Sequence, residues 1–148
     1  MREDCVLLGM ECVDQEEALR TLAQTLIRAG AVKESFPEAV VNREKAYPTG
    51  LPAVACDIAV PHTVGEHVLQ PQMAVGVLKE PVEFRQMGSP EITLHPKIII
   101  MMAINDPKEQ VALLKKLMGM IRDSQVLLQI LEATDPKDVV QLVDRFVD

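Results

Sequence analysis

His62 is the residue best placed to do chemistry in this sequence, because it follows Pro61 at the end of an apolar, strand-like run. A side chain at the end of a strand is held by a rigid sheet while it faces the loops where ligands bind. Pro61 fixes one backbone angle beside it and restricts where the ring can point. A neutral imidazole here can be a base, a metal ligand or a nucleophile, although spacing alone favours a strand-end histidine that bonds a nearby carbonyl.

Arg43 is the second candidate, since it stands shortly before the turn Pro48-Thr49-Gly50-Leu51. A guanidinium offers a fork of donors that matches a phosphoryl group, if the fold brings it near His62. Most arginines at such positions are solvated or paired with a carboxylate, so Arg43 by itself does not decide the chemistry.

Other reactive groups have weaker support. A zinc site from His62, His67 and Glu66 needs a turn that the sequence does not specify, so we predict no metal. No Gly-rich phosphate loop occurs, which argues against direct ATP or NAD chemistry and predicts no cofactor. Three further side chains lack a base, cation or ligand partner at a useful spacing: His95, Cys56 and Ser89.

Composition excludes several classes of protein. The 148 residues carry a net charge of −7 with 3% aromatic residues and no Trp, which argues against nucleic-acid binding. Cys5, Cys12 and Cys56 indicate reduced thiols rather than a disulfide framework. The longest apolar run is about seven residues, against roughly 20 needed to span a bilayer, and no signal peptide is apparent. We therefore expect a cytoplasmic protein that does not insert into membranes.

The elements that must position these residues can be read from periodicity and caps. Helices are predicted at both ends, with Asp14, Ser35, Asp106, Ser124 and Asp135 as candidate caps. Between them lie three strand-like runs, 57–60, 73–78 and 97–104. The last of these does not alternate, which indicates a strand buried on both faces. This order predicts one α/β domain.

An ordered set of motifs resembles a known family. The set comprises Arg43-Glu44, the turn Pro48-Thr49-Gly50-Leu51 and the strand Ile58-Ala59-Val60-Pro61-His62, followed by a late apolar strand and Asn105-Asp106-Pro107. It resembles the IIA components of the bacterial sugar phosphotransferase system, in the fructose–mannitol family. Many members carry a second histidine where this chain has Gln110, and Gln at that place is similar to the galactitol-type proteins.

The resemblance implies a single three-layer α/β/α domain over residues 1–148, with a mixed sheet of four or five strands. It implies a phosphocarrier in which His62 accepts a phosphoryl group from phospho-HPr and passes it to a cysteine of a IIB component. A membrane IIC component would then import a sugar or sugar alcohol, with galactitol as the candidate. Arg43, Gln110 and Thr49 would stabilise the phosphoryl oxygens.

Two alternatives stay open at this stage. IIA-like domains of the nitrogen-type branch act as regulatory relays, in which phosphorylation of the histidine alters binding to another protein. A non-catalytic α/β binding domain would keep the fold and make His62 structural.

Overall fold

A computed structural model describes all residues, 1–148. Its helices are α1 (Gln15–Arg28), α2 (Phe36–Ala46), α3 (Pro107–Ile121), α4 (Ser124–Glu132) and α5 (Pro136–Val147). Its strands are β1 (Val6–Met10), β2 (Gly50–Leu51), β3 (Ile58–Ala59), β4 (Gln72–Leu78), β5 (Phe84–Gln86), β6 (Ser89–Leu94) and β7 (Ile98–Ala103). Short 3₁₀ turns lie at Glu3–Cys5 and Gly65–His67.

All strands belong to one mixed sheet in the order β1-β4-β7-β3-β2-β5-β6. β3 is the central strand, and β7 lies next to it, parallel to β3 and antiparallel to β4. β3 in turn pairs antiparallel with β2, and Ala59 faces Gly50 in that register. The two short strands that flank His62 and the Pro-Thr-Gly turn are therefore neighbours.

Helices cover both faces of the sheet, because the sheet's side chains alternate between two apolar cores. Ile98, Ile100 and Met102 of β7 pack on the side of α3, α4 and α5. Ile99, Met101 and Ala103 point to the opposite core, which contains the apolar faces of α1 and α2. The structure confirms the strand buried on both faces and the three-layer α/β/α class.

The predicted strand count was too low, since the sheet has seven strands rather than four or five. The additional strands carry little periodic signal. β2 has only two residues, and β6 is mostly exposed and polar. β1 is interrupted at Gly9, which adopts φ +65°, and its register with β4 shifts there. Such strands are defined by pairing with distant segments rather than by their own residues.

Helix caps agree with the sequence at three positions. The carboxylates of Asp14, Asp106 and Asp135 accept backbone N–H bonds in the first turns of α1, α3 and α5. The prediction of Ser124 as the cap of α4 is wrong by one residue. The cap is Asp123, whose carboxylate accepts from the N–H of Val126, and Ser124 is the first residue of the helix. Ser35 precedes α2 but makes no side-chain cap bond.

The two chain ends lie together at one side of the fold. The N-terminal ammonium of Met1 forms an ion pair with Asp144 of α5, with 2.8 Å between nitrogen and oxygen. The first turn and β1 both contact α5. None of the helices is long and apolar enough to cross a membrane.

Candidate functional site

His62 follows the end of β3, where backbone hydrogen bonds connect the chain to both neighbouring strands. Val60, which continues from β3, donates its N–H to the carbonyl of Thr49 at 3.3 Å. On the other side, the N–H of Met102 in β7 bonds the carbonyl of Pro61 at 3.0 Å. The residues just before His62 are thus fixed from both neighbouring strands, so the ring starts from a rigid base.

One hydrogen bond determines which nitrogen of His62 carries the proton. Nδ1 lies 2.9 Å from the carbonyl oxygen of Val60. Because a carbonyl can only accept, Nδ1 is the donor, and the neutral ring keeps its lone pair on Nε2. The half-buried ring thus presents one nucleophilic nitrogen.

The surroundings of His62 favour its neutral form. Burial lowers the pKa of the imidazole below its ordinary value, and the positive charge of Arg43 lowers it further. The bond to the Val60 carbonyl acts in the opposite direction and is outweighed. At neutral pH the Nε2 lone pair is therefore free to attack an electrophile.

Arg43 stands on α2 close enough to affect this titration. Its guanidinium carbon lies 4.3 Å from the centre of the Tyr47 ring, a cation–π contact that steadies the side chain. None of the ion pairs in the protein includes Arg43. Its donors are therefore not used by a protein carboxylate and can bind an oxyanion beside His62.

Thr49 is buried, and its two donors are already engaged. Its backbone N–H and its hydroxyl each donate to an oxygen of the Glu44 carboxylate, both at 2.7 Å. The N–H of Val60 is shared between the Thr49 carbonyl, at 3.3 Å, and the same hydroxyl oxygen, at 3.2 Å. Thr49 thus acts on the backbone of the His62 strand, and the idea that it donates to a phosphoryl group stays a prediction.

Glu44 is the buried polar residue that sequence reasoning did not single out. It is 2% exposed, and burial raises its pKa to about 7 although the bonds from Thr49 lower it. Helical spacing from Phe36 through Val40 and Val41 reaches position 44 on the same face, so this phase could have indicated its burial.

Gln110, in the first turn of α3, reaches the segment that follows His62. Its side-chain amide donates to the carbonyl of Thr63 at 3.4 Å. The same segment is closely packed at Gly65, where a Cβ would collide with the backbone of Asn105. These contacts place the start of α3 beside Thr63, the residue that follows His62.

The remaining candidates lie apart from this arrangement. His67 Nδ1 is 2.8 Å from the Ser35 hydroxyl, and its Nε2 is 3.5 Å from Glu66. No group of three or more His, Cys, Asp or Glu is positioned to hold a metal ion. Burial raises the pKa of the half-buried Cys56 thiol, which keeps it protonated.

The arrangement is therefore a neutral imidazole with one free nitrogen, an unpaired guanidinium beside it and an amide at the next residue. This combination suits a group that arrives as an anion and forms a bond to nitrogen.

Comparisons with known proteins agree with this geometry. Residues 1–145 match the family model described as "Phosphoenolpyruvate-dependent sugar phosphotransferase system, EIIA 2". The galactitol-specific EIIA component of Escherichia coli K12 is 24% identical over 119 residues, covering 80% of this chain and 79% of that protein.

Two solved structures share the fold. The crystal structure of mannitol IIA from Escherichia coli has a TM-score of 0.80 at 25% identity, covering 97% of this chain and 98% of the other. The mannitol IIA of that organism in complex with phosphorylated mannitol IIB has a TM-score of 0.82 at 23% identity, covering 98% and 97%.

Proposed function

We propose that this chain, which belongs to the phosphoenolpyruvate-dependent sugar phosphotransferase system EIIA 2 family, carries its phosphoryl group on Nε2 of His62. Membership of the family establishes a role in phosphotransfer in general terms. The observation that supports His62 as the acceptor is the Nδ1–H bond to the Val60 carbonyl, which leaves Nε2 with the lone pair.

The proposed reaction balances without a cofactor. The lone pair on Nε2 of His62 attacks the phosphorus of a phosphohistidine on HPr, and the donor's P–N bond breaks. The electron pair returns to the donor imidazole, and His62 keeps its proton on Nδ1. In the second step a cysteine thiolate of a IIB component attacks the phosphorus, and neutral His62 leaves.

Arg43 and Gln110 would stabilise the charge on the transferring group. The transition state of phosphoryl transfer is loose, with charge spread over three equatorial oxygens, so positioned donors supply much of the catalysis. Arg43 offers a charged fork that no carboxylate occupies, and Gln110 offers a neutral N–H at the segment after His62. Lacking a charge, Gln110 would contribute less than the arginine.

The proposed partners are phospho-HPr as donor and a IIB component as acceptor, with a membrane IIC component acting downstream. The mannitol IIA that forms a complex with phosphorylated IIB shares this fold, which supports the IIB partner. The net charge of −7 would favour a basic docking surface on HPr and give salt-sensitive association. The galactitol-specific relative supports a sugar-alcohol substrate of that type.

The acceptor is tested by incubating the protein with phosphoenolpyruvate, enzyme I and HPr, followed by intact-mass measurement before and after acid. We expect one acid-labile phosphoryl group on the wild type, on His67→Ala and on His95→Ala, and none on folded His62→Ala. Full labelling of His62→Ala, or no labelling of the wild type, would contradict the proposal.

The substrate is tested separately, by adding IIB and IIC components to the phosphorylated protein. Phosphorylation of galactitol with galactitol-type partners, but not of mannitol with mannitol-type partners, is expected. The reverse preference would refute the galactitol assignment and leave the phosphocarrier role intact.

A further inference from the structure

Glu44 is a buried carboxylate without a cationic partner. It is 2% exposed, and the hydrogen bonds to both of its oxygens come from Thr49. Burying a carboxylate costs free energy unless it is paired, and an apolar side chain would fill this face of α2 at no such cost. The carboxylate therefore contributes through what it holds, which is Thr49.

A continuous set of bonds leads from Glu44 to the His62 ring. The hydroxyl oxygen of Thr49 accepts from the Val60 N–H, and the carbonyl oxygen of Val60 accepts from Nδ1 of His62. The residue that Thr49 holds is thus the same residue that orients the imidazole. The Thr49 hydroxyl donates its proton to the Glu44 carboxylate. The lone pairs of the hydroxyl oxygen are therefore free to accept the N–H of Val60.

Glu44 also follows Arg43 directly on α2. A helix that is anchored to the end of β3 by Glu44 keeps the neighbouring guanidinium at a fixed place beside the ring. The cation and the nucleophile are therefore positioned by one buried contact.

We propose that Glu44 is a positioning residue for His62, acting through Thr49 and Val60 to hold the ring with its proton on Nδ1 and Nε2 free. The inference rests on the proposed role of His62 as phosphoryl acceptor. Glu44 does not touch the transferring group and has no catalytic role of its own.

The charged groups around Glu44 leave the carboxylate to Thr49 alone. Glu44 is one of the residues that line a cleft of about 470 Å³, together with Asp14, Lys45, Glu83 and Arg85. Lys45 pairs with Glu16, and Arg85 pairs with Glu83. A protonated Glu44 would have one oxygen that donates, so it could no longer accept both bonds from Thr49.

The tautomer of His62 can be measured directly in the unphosphorylated protein by ¹⁵N and ¹³C NMR of the imidazole at about pH 8.5, above the pKa of about 7 of Glu44, so that its carboxylate is ionised. We expect a single Nδ1–H form in the wild type and in Thr49→Ser, which keeps the hydroxyl. Glu44→Gln and Thr49→Val should show a mixture of both tautomers. The matched control is Glu91→Gln, which removes an exposed carboxylate from β6 and should behave as the wild type.

The kinetic arm uses phospho-HPr as the donor. A misplacement of about 1 Å can cost about a hundredfold in rate, so for a smaller displacement of the ring we expect kcat to fall about tenfold in Glu44→Gln with KM for HPr unchanged. Because Glu44 acts through Thr49, adding Glu44→Gln to Thr49→Val should slow the reaction no further.

Two results would overturn the positioning role: a wild-type tautomer and rate in Glu44→Gln, or full additivity of the two substitutions. If Glu44→Gln fails to fold, the contrast between Thr49→Val and Thr49→Ser decides in the same way. A wild type that takes no phosphoryl group refutes the proposed function, whereas the tautomer comparison still tests the positioning role.

Discussion

The stability of the protein should depend on pH through Glu44, and Glu44→Gln should remove that dependence. The pKa of Glu44 is about 7 in the folded protein, against an ordinary value of 4.5. Between these values the folded state binds the proton more tightly than the unfolded state. The free energy of unfolding therefore has its full Glu44 contribution below pH 4.5 and loses it as pH rises through 7.

The size of the effect follows from the two pKa values. At about 1.4 kcal/mol for each pH unit, the full loss is about 3 kcal/mol. Between about pH 5.5 and pH 8, where an unfolded glutamate is already ionised, about 2 kcal/mol of this is expressed. Asp4 and Glu16, whose pKa values are lowered by ion pairs, act only at lower pH.

His62 acts in the opposite direction, which makes a comparison of two proteins necessary. Its pKa is lowered in the folded state, so its contribution is present above the unfolded value of 6.5 and is lost as pH falls. Subtracting the profile of Glu44→Gln from that of the wild type removes the part of this contribution that comes from burial, which is the largest cause of the His62 shift, and leaves mainly the Glu44 contribution.

Urea unfolding at a series of pH values between 5.5 and 8 measures the difference. We expect the stability of the wild type relative to Glu44→Gln to fall by about 2 kcal/mol across this range. The exposed control Glu91→Gln should give a profile parallel to the wild type. Parallel profiles for Glu44→Gln as well would refute the raised pKa and with it the reasoning from burial.

Three further outcomes are expected. Arg43→Ala should slow phosphorylation by HPr about a hundredfold while KM for HPr changes less than about twofold. The reason is that the lost contact between the guanidinium and the reacting group acts in the transition state. A KM that rises in proportion to the loss of rate would place Arg43 in the docking interface. Gly65→Ala should reduce the phosphorylation rate at least about tenfold, because the added Cβ pushes the segment after His62 away from Asn105. The control Gly119→Ala lies in open space on α3 and should instead raise the free energy of unfolding by about 1 kcal/mol. Asp106→Ala should lower the free energy of unfolding by about 1 kcal/mol in urea titrations, since it removes the cap of α3; an unchanged midpoint would show that the cap is not needed.

The elements with strong local signals were predictable from the sequence. Asp14, Asp106 and Asp135 marked the beginnings of three helices, because cap preferences depend on a few adjacent residues. The unbroken apolar run of β7 indicated an inner strand for a comparable reason, since burial on both faces leaves no polar position.

The site was predictable only in part. The residues His62, Arg43 and Gln110 could be named, but the bond from Nδ1 to Val60 and the bond from Gln110 to Thr63 depend on how distant segments meet. Glu44 was read only as part of an Arg-Glu pair. The helical phase of Phe36, Val40 and Val41 indicates that position 44 faces inward, but the bonds of its carboxylate to Thr49 depend on how α2 packs against the following turn.

The ion pair between Met1 and Asp144 has a consequence for any partner joined covalently to this chain. Because the two ends lie together, a tether attached to either one departs from the same region of the surface, beside β1. In the sheet, β1 is three strand spacings from β3, a lateral distance of about 14 Å at about 4.8 Å for each spacing. A linker needs at least about four extended residues to cover this distance. The local concentration that a tethered partner reaches at His62 should therefore be set mainly by linker length and be similar for attachment at either end.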